Sequence, residues 1–450
     1  MSTAAAPITP SVEGASARGH IGLVVFASIA AGLALGLLLV LGVFAGGSEP
    51  RVIGSALVGL GTGFVLLAFA STRRTNQPQQ WALVPGAATA LVGVGLLALA
   101  PGERFLDLAS WVWPVLLAGL VVSSFRGARW SLANWSRRAL LYPALVGLSL
   151  LAVGGGVGTV MAATSSNPAP ASGHTYLANG HRLYIHCVGS GSPTVVLFNG
   201  LGEWTPNWAW VQANVSATTR VCAFDRAGEG WSGGTAVRQD GHQLASDLHA
   251  LLRAAHIPGP YVLAGHSVGG TYALVYAEQY PRQVAGVALI DSATPHQFGL
   301  SDYRSFYSTF KRASALLPVA ARTIFGRMAL GAGFAPLPPK ARDAARAFNS
   351  SPAQLTASRI EFLQLPTVFN QAKALRSLHG KPLAVLTATV GEMTGWPATQ
   401  DKLAQLSTDA AHHVVPGATH AALLEDEKFA RVTAHAITDV VSRARAGHQS

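Results

Sequence analysis

The stretch from Tyr261 to Gly270 constrains the fold more strongly than any other part of this sequence. It begins with four apolar residues, as in a strand buried on both faces, and continues as GHSVGG, which contains a Gly-x-Ser-x-Gly spacing. A helical pattern follows from Thr271 to Tyr280. Small residues are needed where a strained backbone passes close to itself, so this order predicts a sharp strand-to-helix turn. The turn would expose the hydroxyl of Ser267 at the carboxyl edge of a sheet, in front of a helix N-terminus that favours negative charge.

Strand and helix patterns alternate on both sides of this turn. The dipeptide Asn179-Gly180 predicts a hairpin between the first two strands, and later apolar runs are separated by helical patterns. This alternation is typical of an α/β protein with a mostly parallel sheet and helices on both faces. The predicted strands are 174–178, 181–188, 193–198, 220–224, 261–264, 284–290, 382–389 and 412–415.

Residues 292–380 interrupt the alternation. They show helical periodicity and repeated prolines, and they contain no good strand pattern. We therefore predict a helical cap inserted between two strands of the sheet.

Five long apolar segments precede this domain. Each is close to the roughly 20 residues that a helix needs to cross a bilayer, and together they account for much of the 50% hydrophobic and 12% charged composition. No segment has an ionisable residue at its centre, so nothing indicates a transport pathway. The predicted spans are Ile21–Ala45, Val52–Ala70, Trp81–Ala100, Leu106–Val122 and Ala139–Ala163.

The arginines between the spans predict their orientation. Seven lie before the first span or in the second and fourth loops, and two lie in the alternate loops. By the positive-inside rule, the N-terminus is inside and everything after residue 163 is outside the cytoplasmic membrane. Much of the net charge of +11 consists of these arginine clusters, so we expect no nucleic-acid partner. The expected organisation is a disordered N-terminus at 1–20, five transmembrane helices at 21–163, an uncharged linker at 164–173 and a second domain at 174–446.

The second domain resembles the α/β-hydrolase superfamily. The resemblance rests on HCVGSGSPTVVLFNGLGEW, RVCAFDRAGEGWS, YVLAGHSVGGTYALVYAEQYPRQVAGVALIDS and VVPGATHAALLED. It is most similar to actinobacterial membrane-anchored serine hydrolases related to esterases and prolyl-aminopeptidase-like enzymes. One departure is Asn199, where the superfamily commonly has a histidine.

The resemblance implies a catalytic triad. Ser267 is the expected nucleophile, and it needs a base because an unactivated serine hydroxyl is a poor nucleophile. His420 follows the last strand, and the chain order serine, acid, histidine fits this fold. The acid is Asp291 after one strand or Glu392 after the next, and Asp291 is favoured.

The same resemblance places an oxyanion hole at the backbone N–H groups of Leu201 and Val268. No metal-ligand spacing stands out, and no cofactor is expected. Cys187 and Cys222 lie on predicted neighbouring strands. A disulfide is favoured if the domain is outside the membrane, and two buried thiols are the alternative.

The sequence thus predicts a membrane-anchored serine hydrolase that cleaves a small-molecule or lipid-like ester, or less readily an amide, through an acyl-enzyme. Two alternatives stay open. One is a membrane protein whose hydrolase-like domain only binds a ligand or partner. The other is a cofactor-free haloperoxidase or lyase activity on the same triad.

Overall fold

Long apolar helices fill the N-terminal part of the chain in the computed structural model, which describes residues 20–132, 141–165, 167–233 and 239–447. The chain divides into two compact units, residues 1–156 and 157–450. Within the described residues, four helical stretches are long and apolar enough to cross a membrane, and a bent helix pair could supply a fifth span. The helices are α1 (Ile21–Leu38, continued by the π-helical turn Leu39–Val43), α2 (Glu49–Arg74), α3 (Leu83–Leu99), α4 (Glu103–Ser110), α5 (Trp113–Ser131) and α6 (Tyr142–Thr164).

The fourth predicted span, Leu106–Val122, differs from the structure. In its place, α4 and α5 meet at an angle of 49°. Pro114 lies in the first turn of α5, where its missing N–H leaves no hydrogen bond unmade and favours a new helix start. Apolar composition alone gave no sign of this break. The described residues do not include 1–19, which fall in the N-terminus expected to be disordered. They also do not include the first two residues of the fifth predicted span.

Glycines bring α1 and α2 into close contact. A Cβ at Gly32 would lie 2.7 Å from the carbonyl oxygen of Gly59 and 2.8 Å from Cα of Gly63. These glycines allow the two backbones to approach as small residues do between membrane helices.

An eight-stranded sheet forms the second unit. Its order is β1-β2-β4-β3-β5-β6-β7-β8; β2 pairs antiparallel with β1 and β4, and the other pairs are parallel. The strands are β1 (Gly173–Ala178), β2 (His181–Val188), β3 (Thr194–Phe198), β4 (Val221–Phe224), β5 (Tyr261–His266), β6 (Val284–Ile290), β7 (Leu383–Val390) and β8 (Ala410–Thr419). The predicted α/β-hydrolase sheet is confirmed, and the last strand is longer than the expected 412–415.

Helices cover both faces of the sheet. Side chains alternate along β3, so Val196 and Phe198 pack in one hydrophobic core and Val195 and Leu197 in the other. The helices of the sheet layers are α7 (Ala209–Val215), α8 (Gly241–Ala254), α9 (Val268–Gln279), α15 (Trp396–Ala404), α16 (Ala422–Glu425) and α17 (Glu427–Gly447).

Five helices lie between β6 and β7, in the region expected to form the cap. Aromatic side chains connect the first and last of them: the rings of Tyr307 and Phe362 stack with centroids 4.7 Å apart, and the rings of Tyr303 and Phe369 are 5.9 Å apart. The five helices are α10 (Ser301–Ala313), α11 (Leu317–Ala321), α12 (Ile324–Leu330), α13 (Pro339–Asn349) and α14 (Pro352–Ala372).

Candidate active site

The strand-to-helix turn holds Ser267 in a strained conformation. Ser267 follows β5 directly and has φ +54° and ψ −128°, which a residue with a side chain rarely adopts. Two glycines make the turn possible. A Cβ at Gly265 would overlap the backbone of Gly269, and a Cβ at Gly269 would overlap the carbonyl of Phe198. The Gly-x-Ser-x-Gly pattern is therefore required here by the close approach of β5, α9 and β3.

Asp291 and His420 form a hydrogen-bonded pair at the carboxyl edge of the sheet. His420 Nδ1 donates to Asp291 Oδ2 over 2.6 Å, and Asp291 Oδ1 accepts from Trp396 Nε1 over 2.8 Å and from the Ala388 N–H over 3.2 Å. Burial by itself raises the pKa of the Asp291 carboxyl, but the bonds from His420 and Trp396 outweigh it and hold the pKa below its ordinary value. An ionised Asp291 fixes the hydrogen of His420 on Nδ1 and leaves Nε2 as the acceptor.

Glu392, the alternative acid, lies elsewhere. It is exposed in the loop after β7, and within the described part of the chain it makes no hydrogen bond to His420. Of the two carboxylates that the sequence left open, the structure brings only Asp291 to the histidine.

His420 lies beside the serine turn. Its ring faces that of His266, the residue before Ser267, with centroids 4.3 Å apart. The hydroxyl of Ser267 has no hydrogen-bond partner among the described residues, so it is free to rotate toward an incoming substrate or toward His420. Catalytic hydrogen bonds of this kind are often long in free enzymes and shorten when a substrate binds.

The expected oxyanion-hole donors are two N–H groups without hydrogen-bond partners in the described residues, those of Leu201 and Val268. Val268 begins α9, where a first-turn N–H has no partner within the helix. Leu201 N–H shares a planar peptide with the Gly200 carbonyl, so the two groups point in opposite directions. Arg226 donates to the Gly200 carbonyl over 2.9 Å. This bond fixes the peptide so that the Leu201 N–H points away from the Arg226 side chain.

Arg226 belongs to a buried ion network that the sequence did not predict. Its guanidinium also donates to the Asn199 carbonyl over 2.8 Å, to Glu229 over 2.9 Å and to Glu361 of α14 over 2.8 Å. Burial would lower the pKa of Arg226, but the two carboxylates raise it, so the guanidinium stays charged. The network ties residues 199–203, the loop after β3 that carries the expected donor Leu201 and is called the oxyanion loop below, to α14.

Asn199, the departure from the superfamily pattern, is structural here. Its side chain donates to the Phe224 carbonyl over 2.9 Å and accepts from Trp208 Nε1 over 2.9 Å. Both contacts are made by the side chain of Asn199, the first residue of the oxyanion loop. The substitution therefore changes how the loop is held without removing a backbone donor.

Cys187 and Cys222 form a disulfide between directly paired positions of β2 and β4. The bond lies in the antiparallel part of the sheet.

The structure thus brings a serine on a strained turn, a histidine bonded to a buried carboxylate, and two N–H groups without partners in the described residues to one edge of the sheet. Acyl transfer requires groups of these kinds.

A family model described as alpha/beta hydrolase fold matches residues 193–427, which is more than half of the chain. An uncharacterised protein of Schizosaccharomyces pombe is 26% identical over 297 residues, 58% of this chain and 54% of the relative. The uncharacterised protein YqjL of Bacillus subtilis is 29% identical over 120 residues, 26% of this chain and 47% of the relative. The chain thus spans about half the length of these curated relatives.

A solved structure has the same fold. The crystal structure of a protein named DBJA has a TM-score of 0.50 and 17% sequence identity, and the likeness covers 60% of this chain and 97% of that one. At this identity the likeness supports the fold alone. With the family match and the eight-stranded sheet, it follows that the chain belongs to the alpha/beta hydrolase fold family.

Proposed function

We propose that this chain is a membrane-anchored serine hydrolase that cleaves a carboxylic ester through an acyl-enzyme. The observation that carries the proposal is the 2.6 Å bond between His420 and Asp291 beside the strained Ser267 turn. A domain that only bound a ligand would have no need for a buried carboxylate aimed at a half-exposed histidine.

The mechanism follows from these positions. Ser267 Oγ attacks the ester carbonyl carbon while His420 Nε2 takes its proton, and Asp291 stabilises the resulting imidazolium. The negative oxygen of the tetrahedral intermediate accepts from the Leu201 and Val268 N–H groups. His420 then protonates the departing alkoxide, which leaves as an alcohol. In the second half, His420 takes a proton from water, the hydroxide attacks the acyl carbon, and Ser267 recovers its proton as the acid leaves.

The reaction class can be tested on the purified full chain. We expect a p-nitrophenyl ester to be hydrolysed at least about 10²-fold faster than the matching p-nitroanilide, because p-nitrophenolate is a much better leaving group than the anilide nitrogen. Hydroxylamine, which captures acyl-enzymes, should raise product release when deacylation limits the rate. A chain that turns over neither substrate would contradict the proposal and favour a binding protein. Turnover of a halide or a carbon–carbon bond without ester cleavage would favour the haloperoxidase or lyase alternative.

We also propose that the N-terminal helices cross the cytoplasmic membrane and place the hydrolase domain outside. The apolar helices support a membrane location. With the bent pair α4–α5 counted as one of five spans, the arginine distribution supports an outside position for the domain. A lipid-like ester is then a suitable substrate, because the bilayer holds such molecules beside the enzyme. The aromatic contacts between α10 and α14 supply apolar surface in the cap.

The disulfide gives a test of this location in cells. Cells are quenched with acid, and the protein is then denatured and alkylated at neutral pH. The reagent should not modify Cys187 or Cys222 unless the protein is first reduced, because oxidation persists outside the cytoplasm. Mass spectrometry of the two peptides reads the result. Alkylation of both cysteines without reduction would contradict an extracytoplasmic domain, and a prior reduction step serves as the positive control.

A further inference from the structure

A second histidine–carboxylate pair lies beside the proposed triad. His266 Nδ1 is 2.6 Å from Glu203 Oε1, and His266 Nε2 is 3.0 Å from the backbone oxygen of His420. The other oxygen of Glu203 accepts from the Gly200 N–H over 2.6 Å. These bonds form one continuous chain from the oxyanion loop to the backbone of the catalytic histidine. Its members are, in order, Gly200, Glu203, His266 and His420.

The partners fix where the protons are. A carbonyl oxygen only accepts, so His266 Nε2 must carry a hydrogen. The Gly200 N–H only donates, so Glu203 Oε2 must accept. One further proton lies between His266 Nδ1 and Glu203 Oε1, and a carboxylate with an imidazolium satisfies every one of these bonds. The His266 side chain is fully buried, so no water can replace a lost partner without rearrangement.

The electrostatic surroundings agree with this assignment. Burial alone would raise the pKa of Glu203 and lower the pKa of His266. Their mutual attraction outweighs burial, so the pKa of Glu203 is lowered and the pKa of His266 is raised, which favours the ion pair. Burial, together with repulsion from the Glu203 carboxylate, raises the pKa of Glu425 to about 7.

We propose that Glu203 and His266 are positioning residues that hold the oxyanion loop and the His420 backbone at a fixed separation on either side of Ser267. The inference deepens the proposed function and rests on it. Glu203 holds the N–H of Gly200, the residue directly before the Leu201 donor. His266 holds the backbone carbonyl of His420. Neither side chain belongs to the triad. Misplacing a reacting group by about 1 Å can cost about 10²-fold in rate, so the bridge acts on turnover rather than on substrate binding.

Three variants of the full chain test the bridge. Glu203→Gln keeps the size of the side chain but has one acceptor oxygen where two are used. His266→Asn keeps a donor near the position of Nδ1 but does not reach the His420 carbonyl. The double variant completes a thermodynamic cycle. The matched control is Asp401→Asn, because Asp401 accepts from His412 over 2.9 Å in the same domain but outside this bridge.

We expect each single variant to lower kcat for a p-nitrophenyl ester by about 10²-fold with KM changed less than about threefold. The double variant should lose little more than the worse single variant, because each change already breaks the bridge. Asp401→Asn should match the unmodified chain, and thermal unfolding of the hydrolase domain checks the folding of every variant.

Unchanged kcat in Glu203→Gln and His266→Asn would overturn the inference. Losses of kcat that multiply in the double variant would also overturn it, because they indicate that the two side chains act independently. Losses of kcat that follow the fraction of unfolded protein would overturn it as well, because they indicate a role in stability alone. Failure of the proposed function is a different result, since the unmodified chain itself would then hydrolyse no ester.

Discussion

Replacing Ser267 by alanine is expected to lower ester turnover by about 10⁴–10⁶-fold, the range found when a triad nucleophile is removed. In the proposed mechanism Oγ forms the covalent bond to the acyl group, so its removal prevents the acyl-enzyme from forming. The fold should persist, because the hydroxyl has no hydrogen-bond partner among the described residues whose loss would cost stability. Steady-state kinetics with a p-nitrophenyl ester and a thermal unfolding curve measure both effects.

An exposed cap serine provides the control for this substitution. Ser305 lies on α10, and Ser305→Ala should keep full activity. Retained turnover in Ser267→Ala would contradict the nucleophile assignment. A large drop in unfolding temperature would instead show that the turn depends on the side chain for its stability.

Asp291→Asn is expected to reduce kcat by about 10⁴-fold while leaving the shape of the site unchanged. An amide can present its N–H₂ group to His420 Nδ1 and so favour the wrong tautomer, and it no longer stabilises the imidazolium. Trp396 and Ala388 donate to Oδ1, so the amide oxygen would remain with them and its nitrogen would face the histidine. Because the hydrogen bonds orient the new amide in this way, the substitution is expected to cause a large loss of kcat although the side chain keeps its size.

Glu392→Gln serves as the comparison, because it is the other carboxylate that the sequence allowed. We expect its kcat to stay within about twofold of the unmodified chain, as Glu392 is exposed and does not bond to His420 in the structure. Equal losses in the two variants, or a larger loss in Glu392→Gln, would contradict the assignment of Asp291.

The fold was accessible from the sequence because its signals are local. The alternating patterns, the Asn179-Gly180 hairpin and the Gly-x-Ser-x-Gly turn each depend on neighbouring residues, and the structure confirms the α/β-hydrolase sheet. The acid could not be decided in this way. Asp291 and Glu392 follow β6 and β7, neighbouring parallel strands whose carboxyl ends meet at one edge. What distinguishes them is a tertiary contact, the hydrogen bond from His420 to Asp291.

The buried ion pairs were missed for the same reason. Glu203 and His266 are 63 positions apart, and Arg226 and Glu361 are 135 positions apart. No spacing rule relates such residues. A signal that could have pointed to two of them is a titratable side chain at the end of an apolar strand, where a charge must find a partner: His266 is the last residue of β5, and Arg226 follows β4 by two positions.

A fluorophosphonate probe gives the most direct test of the central claim, because it reacts with a serine only when the base and the oxyanion hole are assembled around it. The full chain in its own membranes is labelled, digested and mapped by mass spectrometry. We predict one phosphonate adduct, on Ser267, which is absent from Ser267→Ala and forms far more slowly in Asp291→Asn. An unlabelled chain, or an adduct that persists on another residue in Ser267→Ala, would contradict a serine hydrolase built on Ser267, His420 and Asp291.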